Sequence, residues 1–183
     1  MAQFGKPGIL ERFRQLDEDL LSIIGDDTQV EMVIVGGSAL LMLDLVADTR
    51  MTTDIDVLET EKQVEILLER YDMNRDVSTF LFRLADNWHK RRQRIPFSGA
   101  LLNVYAPSNE DLVIMKLDAF REIDRLDIRQ MILNQEINFE KLQDIINDDA
   151  ELRVNYDNET EWETFLTRFH EIKAFADSLR RAL

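Results

Sequence analysis

Two aspartates separated by one residue are the clearest chemical feature of the first third of the chain. Asp54 and Asp56 lie in an otherwise apolar stretch, and an extended backbone there would point both carboxylates to one side. Ile55 and Val57 would then point to the other side, into a core. Two such carboxylates repel each other and lose hydration unless a cation is present. The pattern indicates a divalent metal site, and the alternative is a strand end with two exposed aspartates.

A glycine turn precedes the aspartates. The run Val33-Ile34-Val35 leads directly into Gly36-Gly37-Ser38, which predicts a strand, a turn and the start of a helix. A glycine pair lets backbone N–H groups approach phosphate oxygens, and a helix start favours negative charge. Ser38 would add a hydroxyl donor. We therefore expect the turn to bind the phosphates of a nucleoside triphosphate, with a purely structural turn as the alternative.

The metal and the residues between the two motifs follow from this hypothesis. Asp54 and Asp56 are predicted to bind Mg²⁺, or Mn²⁺, together with the triphosphate. Arg50 and Thr52 come just before the pair and are predicted to contact the nucleotide or to orient the carboxylates. The alternative is that Arg50 and Thr52 are ordinary loop residues without a role in binding.

Composition limits the other classes of function. The chain has 183 residues, 45% of them apolar, no cysteine and a formal net charge of -14. This charge argues against nucleic-acid binding through a broad basic surface, although residues 88–94 combine a tryptophan with several cations. That segment suits a nucleotide or an RNA end, or a tryptophan packed under a basic loop. Disulfides and thiolate metal sites are excluded, and with neither a signal peptide nor a membrane span in view we expect a cytoplasmic protein.

The order of elements predicts an α+β fold. Hydrophobic periodicity predicts a first helix, a strand before Gly36, a strand at the aspartates and a helix over Thr60–Tyr71. Residues 72–76 are predicted as a turn, and strands are predicted near Phe80–Leu84 and around the turn at Ser98-Gly99. From Pro107 onwards no strand pattern follows. We expect a mixed-sheet domain with flanking helices over residues 1–107, and a helical region over residues 108–183 packed against it.

The motifs resemble a known superfamily. Val35-Gly36-Gly37-Ser38-Ala39-Leu40 with Arg50-Met51-Thr52-Thr53-Asp54-Ile55-Asp56-Val57 is similar to the signature of the DNA polymerase beta-like nucleotidyltransferases. The form of the second motif is closest to stand-alone bacterial members related to abortive-infection and toxin–antitoxin nucleotidyltransferases. A downstream run, Lys116-Leu117-Asp118-Ala119-Phe120-Arg121 to Ile128, resembles a helix of the same proteins. The resemblance covers about residues 33–128.

The downstream motif gives Lys116 a role. On one continuous helix from Asn109 to about Leu133, Lys116 and Asp127 would be about 20° apart, in the middle of an apolar stripe. A lysine there must extend to solvent, pair with an aspartate or meet an anion. The resemblance favours Lys116 as a ligand of the triphosphate or a partner of the catalytic carboxylates. Arg121, Asp124 and Asp127 are predicted as supporting residues, since the aspartates could orient either cation; the alternative is that the aspartates only face solvent.

One departure from the superfamily concerns the third carboxylate. Active members commonly carry it on a later strand, and Asn103 is the polar residue of the corresponding run here. An asparagine cannot act as a base. Without a third carboxylate, the alternatives are chemistry with one metal ion, a base from elsewhere such as Asp127, or loss of activity.

The resemblance implies transfer of a nucleotidyl group to a hydroxyl acceptor. The acceptor would be an RNA or tRNA end or a protein side chain. The protein would work together with a cognate partner in a toxin–antitoxin or defence pair. A catalytically degenerate protein of the same fold, which binds a nucleotide or a partner, is the second hypothesis. Modification of a small molecule is the third.

Overall fold

The strand predicted to carry the two aspartates belongs to a five-stranded mixed sheet. The computed structural model describes residues 3–25, 28–75, 77, 83–148 and 150–182. The described chain divides into two units, Met1–Thr79 with Arg92–Pro107 and Phe80–Arg91 with Ser108–Leu183. The sheet lies in the first unit and the second is helical, which confirms the predicted α+β class.

The strands of the sheet are β1 (Val30–Val35), β2 (Ile55–Thr60), β3 (Met73–Asn74), β4 (Gln93–Arg94) and β5 (Leu102–Ala106). They are ordered β3-β2-β1-β5-β4. Strand β1 is antiparallel to β2 and parallel to β5. Strand β3 is parallel to β2, and β4 is antiparallel to β5. The apolar run of β1 is almost wholly buried, as expected for a central strand with both faces covered.

The helices of the first unit are α1 (Lys6–Ile24), α2 (Gly36–Met42) and α3 (Lys62–Glu65). The prediction of a single helix over Thr60–Tyr71 is wrong, because Thr60 ends β2 and α3 gives way to a 3₁₀ turn at Leu68–Tyr71. The tighter turn lets the adjacent Leu67 and Leu68 both be buried. Strand β3 follows immediately, inside the segment predicted as a turn.

A buried carboxylate on α1 fixes the start of β5. Asp17 accepts hydrogen bonds from the backbone N–H groups of Ala100, Leu101 and Leu102, at 2.7, 2.9 and 2.7 Å. These donors precede or begin the strand and lie largely out of reach of water, so Asp17 supplies the acceptor that they need. The apolar face of α1, which includes Phe13, is fully buried around it.

The second unit contains a 3₁₀ turn (Asp86–Arg91) and five helices in the part of it that the structure describes: α4 (Asn109–Ala119), α5 (Glu122–Leu133), α6 (Phe139–Asp148), α7 (Ala150–Val154) and α8 (Glu159–Ala182). The apolar stripe of α8 is buried, with Phe165 and Phe169 at its centre. The short helix α7 lies in a segment without a clear sequence pattern. A strand was predicted near Phe80–Leu84, and residues 80–82 of it lie outside the described residues.

The predicted continuous helix over Asn109–Leu133 is wrong. Phe120 adopts a left-handed conformation, with φ of 46°, and ends α4. Arg121 is the N-cap of α5, and the side chain of Asp124 accepts a hydrogen bond from the Arg121 backbone N–H. Local capping therefore breaks the apolar stripe into two helices. Within the residues that the structure describes, no helix is both long and apolar enough to span a lipid bilayer.

Candidate functional site

The two aspartates lie side by side at the start of β2. Asp54 directly precedes the strand and Asp56 is its second residue, and both side chains are half-buried. Ile55 and Val57 are fully buried on the other face, so the predicted alternation is confirmed. The amide nitrogen of Asn74 on β3 donates to both carboxylates, at 3.0 Å to Asp54 Oδ2 and 3.2 Å to Asp56 Oδ1.

Asn74 is the residue that sequence reasoning missed. It is the partner of Asp56 in the parallel pairing of β3 with β2, so the two side chains emerge next to each other on one face of the sheet. In the sequence it is one asparagine in a polar stretch. Only the pairing of two strands 18 residues apart brings it to the carboxylates.

The glycine turn contacts the same carboxylate. Strand β1 pairs with β2 so that Val35 is opposite Asp56, and Gly36 follows with φ of 64°. A Cβ on Gly36 would collide with Asp56 Oδ2. Glycine is therefore required twice at this position, by the backbone conformation and by the nearness of the carboxylate.

The second glycine faces Arg50 and Thr52. A Cβ on Gly37 would lie 3.1 Å from Arg50 Nη2 and 3.7 Å from Thr52 Oγ1. Arg50 also donates to the backbone oxygen of Met51, and Thr52 Oγ1 donates to the backbone oxygen of Asp54 at 3.0 Å. The structure thus brings the predicted turn, Arg50, Thr52 and both aspartates into one cluster.

Ser38 has a different environment from the one predicted. Its side chain is 1% exposed, and its hydroxyl donates to the backbone oxygen of Val35 at 2.8 Å. This hydrogen bond closes the first turn of α2. In this structure the hydroxyl proton is therefore used inside the fold rather than offered as a donor at the surface of the turn.

Asn103 does not join the cluster. It pairs with Glu31 on β1, whereas Asp56 pairs with Val35. The offset of four positions from Glu31 to Val35 corresponds to about 13 Å along the strand. Its amide instead donates to Gln29 at 2.7 Å and accepts from Arg94 at 2.6 Å. Asn103 therefore does not occupy the place of a third carboxylate beside Asp54 and Asp56.

Lys116, Arg121, Asp124 and Asp127 form a separate cluster in the helical unit. Lys116 Nζ lies 3.0 Å from Asp124 Oδ1 and 2.7 Å from Asp127 Oδ2, and all three side chains are buried. Arg121 Nε donates to Asp124 Oδ2 at 2.8 Å. Burial raises the pKa of Asp124, but the hydrogen bond from Arg121 and the charge of Lys116 outweigh it, so the net pKa is below the ordinary value.

The break between α4 and α5 creates this cluster. Lys116 is near the end of α4 and the two aspartates are on α5, so the ion pairs join two helices rather than two turns of one helix. The pairing with an aspartate, one of the alternatives for Lys116, is the arrangement observed. Asp127 is 3% exposed, which makes it a poor candidate for the base suggested by the sequence.

The basic segment is also engaged in the fold. Trp88 is 2% exposed, as expected for a tryptophan packed under a basic loop. Arg91 forms two hydrogen bonds to the buried Asp111, at 3.0 and 2.6 Å. Arg92 pairs with Glu31 at 2.8 Å. These contacts leave the segment with less positive charge to offer an RNA end than its sequence indicates.

Comparison with known protein families decides the class of protein. A family model described as "Nucleotidyltransferase of unknown function (DUF6036)" matches residues 11–176. The chain belongs to this family. The match spans both units, and it supports the nucleotidyltransferase resemblance without reaching the abortive-infection or toxin–antitoxin grouping. Neither a search of curated proteins nor a search of solved structures found a match to this nucleotidyltransferase-family chain.

The carboxylates of the cluster are suitable ligands for a magnesium ion that binds together with a nucleotide. Mg²⁺ is commonly held by one or two carboxylates together with phosphate oxygens of the substrate, rather than by a cage of protein ligands. Asp54 and Asp56 supply two carboxylates on one face, and Gly36 leaves open the space next to Asp56 that a side chain would fill. Among the described residues, no group of three or more His, Cys, Asp or Glu side chains could hold a metal. The remaining ligands of such a metal ion would have to come from the substrate, from water or from an amide.

Gly36→Ala is expected to weaken metal binding strongly. The new Cβ would push the Asp56 carboxylate away, and the left-handed backbone would lower the free energy of unfolding by roughly 1–2 kcal/mol. Displacing a neighbour of a metal ligand typically weakens metal affinity about 10- to 100-fold. Titration with Mn²⁺ in the presence of a nucleoside triphosphate analogue measures this effect.

Gly25→Ala is the matched control. Gly25 also has a positive φ, 76°, but a Cβ there would meet no atom of the described residues within 4 Å. Its stability should fall as well, because alanine is strained at φ 76° and ψ -175°, but its Mn²⁺ affinity should be unchanged. Equal losses of affinity in the two variants would mean that the contact between Gly36 and Asp56 does not matter to the metal.

Proposed function

We propose that this protein transfers a nucleotidyl group from a metal-bound nucleoside triphosphate to a hydroxyl of an RNA or tRNA end or of a protein side chain. The observation that carries the proposal is the placement of Gly36 against the Asp56 carboxylate, next to Asp54. It puts the first turn of α2 beside two carboxylates. Membership of a nucleotidyltransferase family supports the same reaction class.

The two aspartates, the two glycines and Arg50 each have a role in this proposal. Asp54 and Asp56 hold Mg²⁺ or Mn²⁺, which supplies charge neutralisation at the phosphates. Gly36 and Gly37 let the backbone approach the phosphate oxygens. Arg50, whose guanidinium lies over Gly37, neutralises charge on the β- and γ-phosphates.

The reaction is an in-line displacement at phosphorus. The acceptor oxygen forms a bond to the α-phosphorus, and the bond from that phosphorus to the bridging oxygen of the β-phosphate breaks. Pyrophosphate leaves, and the hydroxyl proton passes to solvent. Positioning and charge neutralisation then provide most of the rate acceleration, as in phosphoryl transfer generally.

The setting in a toxin–antitoxin or defence pair rests on the motif resemblance alone. In this proposal the protein works in the cytoplasm, where triphosphates and Mg²⁺ are abundant, and a cognate toxin or antitoxin is its partner. The net charge of -14 makes a protein side chain or a short RNA end a better acceptor than a long nucleic acid, because a long polyanion would be repelled.

A labelling experiment tests the proposal. The protein is incubated with each α-labelled nucleoside triphosphate, Mg²⁺ or Mn²⁺, and total RNA or total protein as the acceptor. We expect metal-dependent transfer of label from at least one triphosphate to one acceptor class. Absence of transfer from every triphosphate to both acceptor classes would contradict the transferase.

A second candidate function is that of a catalytically degenerate protein that only binds the metal–nucleotide complex. The lack of a third acidic ligand favours it. Within the described residues, an asparagine rather than a carboxylate completes the cluster. Tight, metal-dependent triphosphate binding without any transfer would select this candidate.

A further inference from the structure

The amide of Asn74 lies where a cation would be expected. One nitrogen donates to Asp54 Oδ2 at 3.0 Å and to Asp56 Oδ1 at 3.2 Å. A primary amide has two N–H donors on its nitrogen, so each carboxylate receives one. The point between two carboxylates is the most negative part of the cluster, and here a neutral donor with a partial positive charge fills it.

The same side chain carries a metal ligand on its other branch. The carbonyl oxygen of an asparagine is a suitable ligand for hard cations such as Mg²⁺ and Mn²⁺. The last side-chain torsion of asparagine is broad and roughly two-fold, so a half-turn exchanges the nitrogen for the oxygen. Rotation in place would replace two N–H donors with one oxygen ligand.

The backbone that carries Asn74 is well anchored. Asp72 accepts from the backbone N–H of Ile55 at 2.9 Å, and its carboxylate accepts from Arg12 Nε at 3.2 Å and from Nη2 at 2.5 Å. Met73, the next residue, is 2% exposed. Asn74 is thus fixed beside Asp56 by its strand, and the rotation needs no movement of the backbone.

We propose that Asn74 is the third protein ligand of the metal, beside Asp54 and Asp56. Its amide nitrogen bridges Asp54 and Asp56 and relieves their repulsion, and when a metal binds, the amide turns over and its oxygen becomes a ligand. This inference rests on the proposed function, because it assumes a metal-bound nucleotide at the pair. It gives the chain a neutral ligand at the site, where described residues offer no third carboxylate.

A neutral third ligand affects the order in which the metal and the triphosphate bind. Two carboxylates and an amide bind a divalent cation more weakly than three carboxylates, because they carry less negative charge to attract the cation. The metal should therefore bind well only when triphosphate oxygens join the site. Mn²⁺ affinity in the wild-type protein should accordingly rise when a triphosphate is added.

Mn²⁺ titration of the full chain tests the role of Asn74. Free Mn²⁺ is followed by electron paramagnetic resonance, with a non-hydrolysable triphosphate analogue present, for the wild type, Asn74→Ala and Asn74→Asp. We expect Asn74→Ala to weaken Mn²⁺ binding by about 10-fold or more and Asn74→Asp to strengthen it by a similar factor. Asn103→Asp adds the same charge on another strand of the sheet, away from the pair, and should leave the affinity within about two-fold of the wild type.

Thermal unfolding without metal provides a second readout. Asn74→Asp places a third carboxylate beside two others, so its melting temperature should fall without Mn²⁺ and recover when Mn²⁺ is added. Asn103→Asp should show no such recovery. This measurement keeps the inference testable even if Asn74→Ala fails to fold.

Several results would overturn the role of Asn74. Unchanged or tighter binding by Asn74→Ala would mean that the amide only occupies the site or competes with the metal. Unchanged or weaker binding by Asn74→Asp would mean that an oxygen at this position does not reach the ion. A wild-type protein that binds no Mn²⁺ with any triphosphate would refute the metal site itself, and so the proposed function together with this inference.

Discussion

Asp56→Asn is expected to lower the rate of label transfer by about 10³-fold or more. A bound metal contributes several kcal/mol to stabilising charge at the phosphates, and each 1.4 kcal/mol corresponds to a factor of ten in rate. The variant removes one of two carboxylate ligands and keeps the shape of the side chain and its position opposite Val35. The rate of Mg²⁺-dependent transfer to the acceptor identified by labelling gives the result.

Glu59→Gln is a suitable control for Asp56→Asn. Glu59 is on the same strand, where it pairs with Val33, and the substitution removes one negative charge in the same conservative way. Its transfer rate should stay within about two-fold of the wild type, because a charge three residues along the strand, roughly 10 Å away, is largely screened by salt. A similar loss in both variants, or full activity of Asp56→Asn, would remove the carboxylate pair from the reaction.

Lys116→Met is expected to have the largest effect on stability. It leaves Asp124 and Asp127 buried without the ammonium that lies 3.0 and 2.7 Å from them. Removing one partner of a buried ion pair lowers the free energy of unfolding by about 3–5 kcal/mol. Urea unfolding followed by circular dichroism should show a much lower midpoint.

The triple variant Lys116→Met, Asp124→Asn, Asp127→Asn separates structure from catalysis. Removing all three charges should restore much of the stability, since no buried charge is left unpaired. If Lys116 acts only through the fold, transfer activity should return with stability. Stability that returns without activity would instead support the predicted contact of Lys116 with the triphosphate.

The same cluster predicts a pH dependence of stability. The pKa of Asp124 is below its ordinary value in the folded protein, so the unfolded chain binds more protons as the pH falls through the ordinary pKa of an aspartate, about 4. The stabilisation by Asp124 is therefore present above that pH and is lost as the pH falls towards the lowered folded pKa. The triple variant should lose less stability over this acid range than the wild type.

Local patterns in the sequence were enough to predict the parts of the site that depend on neighbouring residues. Alternation around Ile55 placed both aspartates on one face, and the glycine pair predicted a turn that needs glycine. The strand before Gly36 was predicted for the same reason, since its apolar run is one continuous segment. The α+β class followed from the change in pattern at Pro107.

The errors concern contacts between distant segments and one unusual backbone conformation. Strand β3 has two residues, too few for any alternation, so the position of Asn74 depends on its pairing with β2. Asn103 was assigned by order along the chain, whereas the register of β5 against β1 puts it opposite Glu31. Phe120 takes a left-handed conformation that a bulky residue rarely adopts, so the break between α4 and α5 had no obvious signal.

Equilibrium binding of a non-hydrolysable triphosphate, with and without Mg²⁺, tests most directly whether Asp54 and Asp56 hold a metal-bound nucleotide. The wild-type protein should bind the analogue at least about ten times more tightly with Mg²⁺ than with a chelator, and Asp56→Asn should lose that difference. Binding that is equally tight with the chelator, or a full Mg²⁺ effect in Asp56→Asn, would contradict a metal–nucleotide site at these two aspartates.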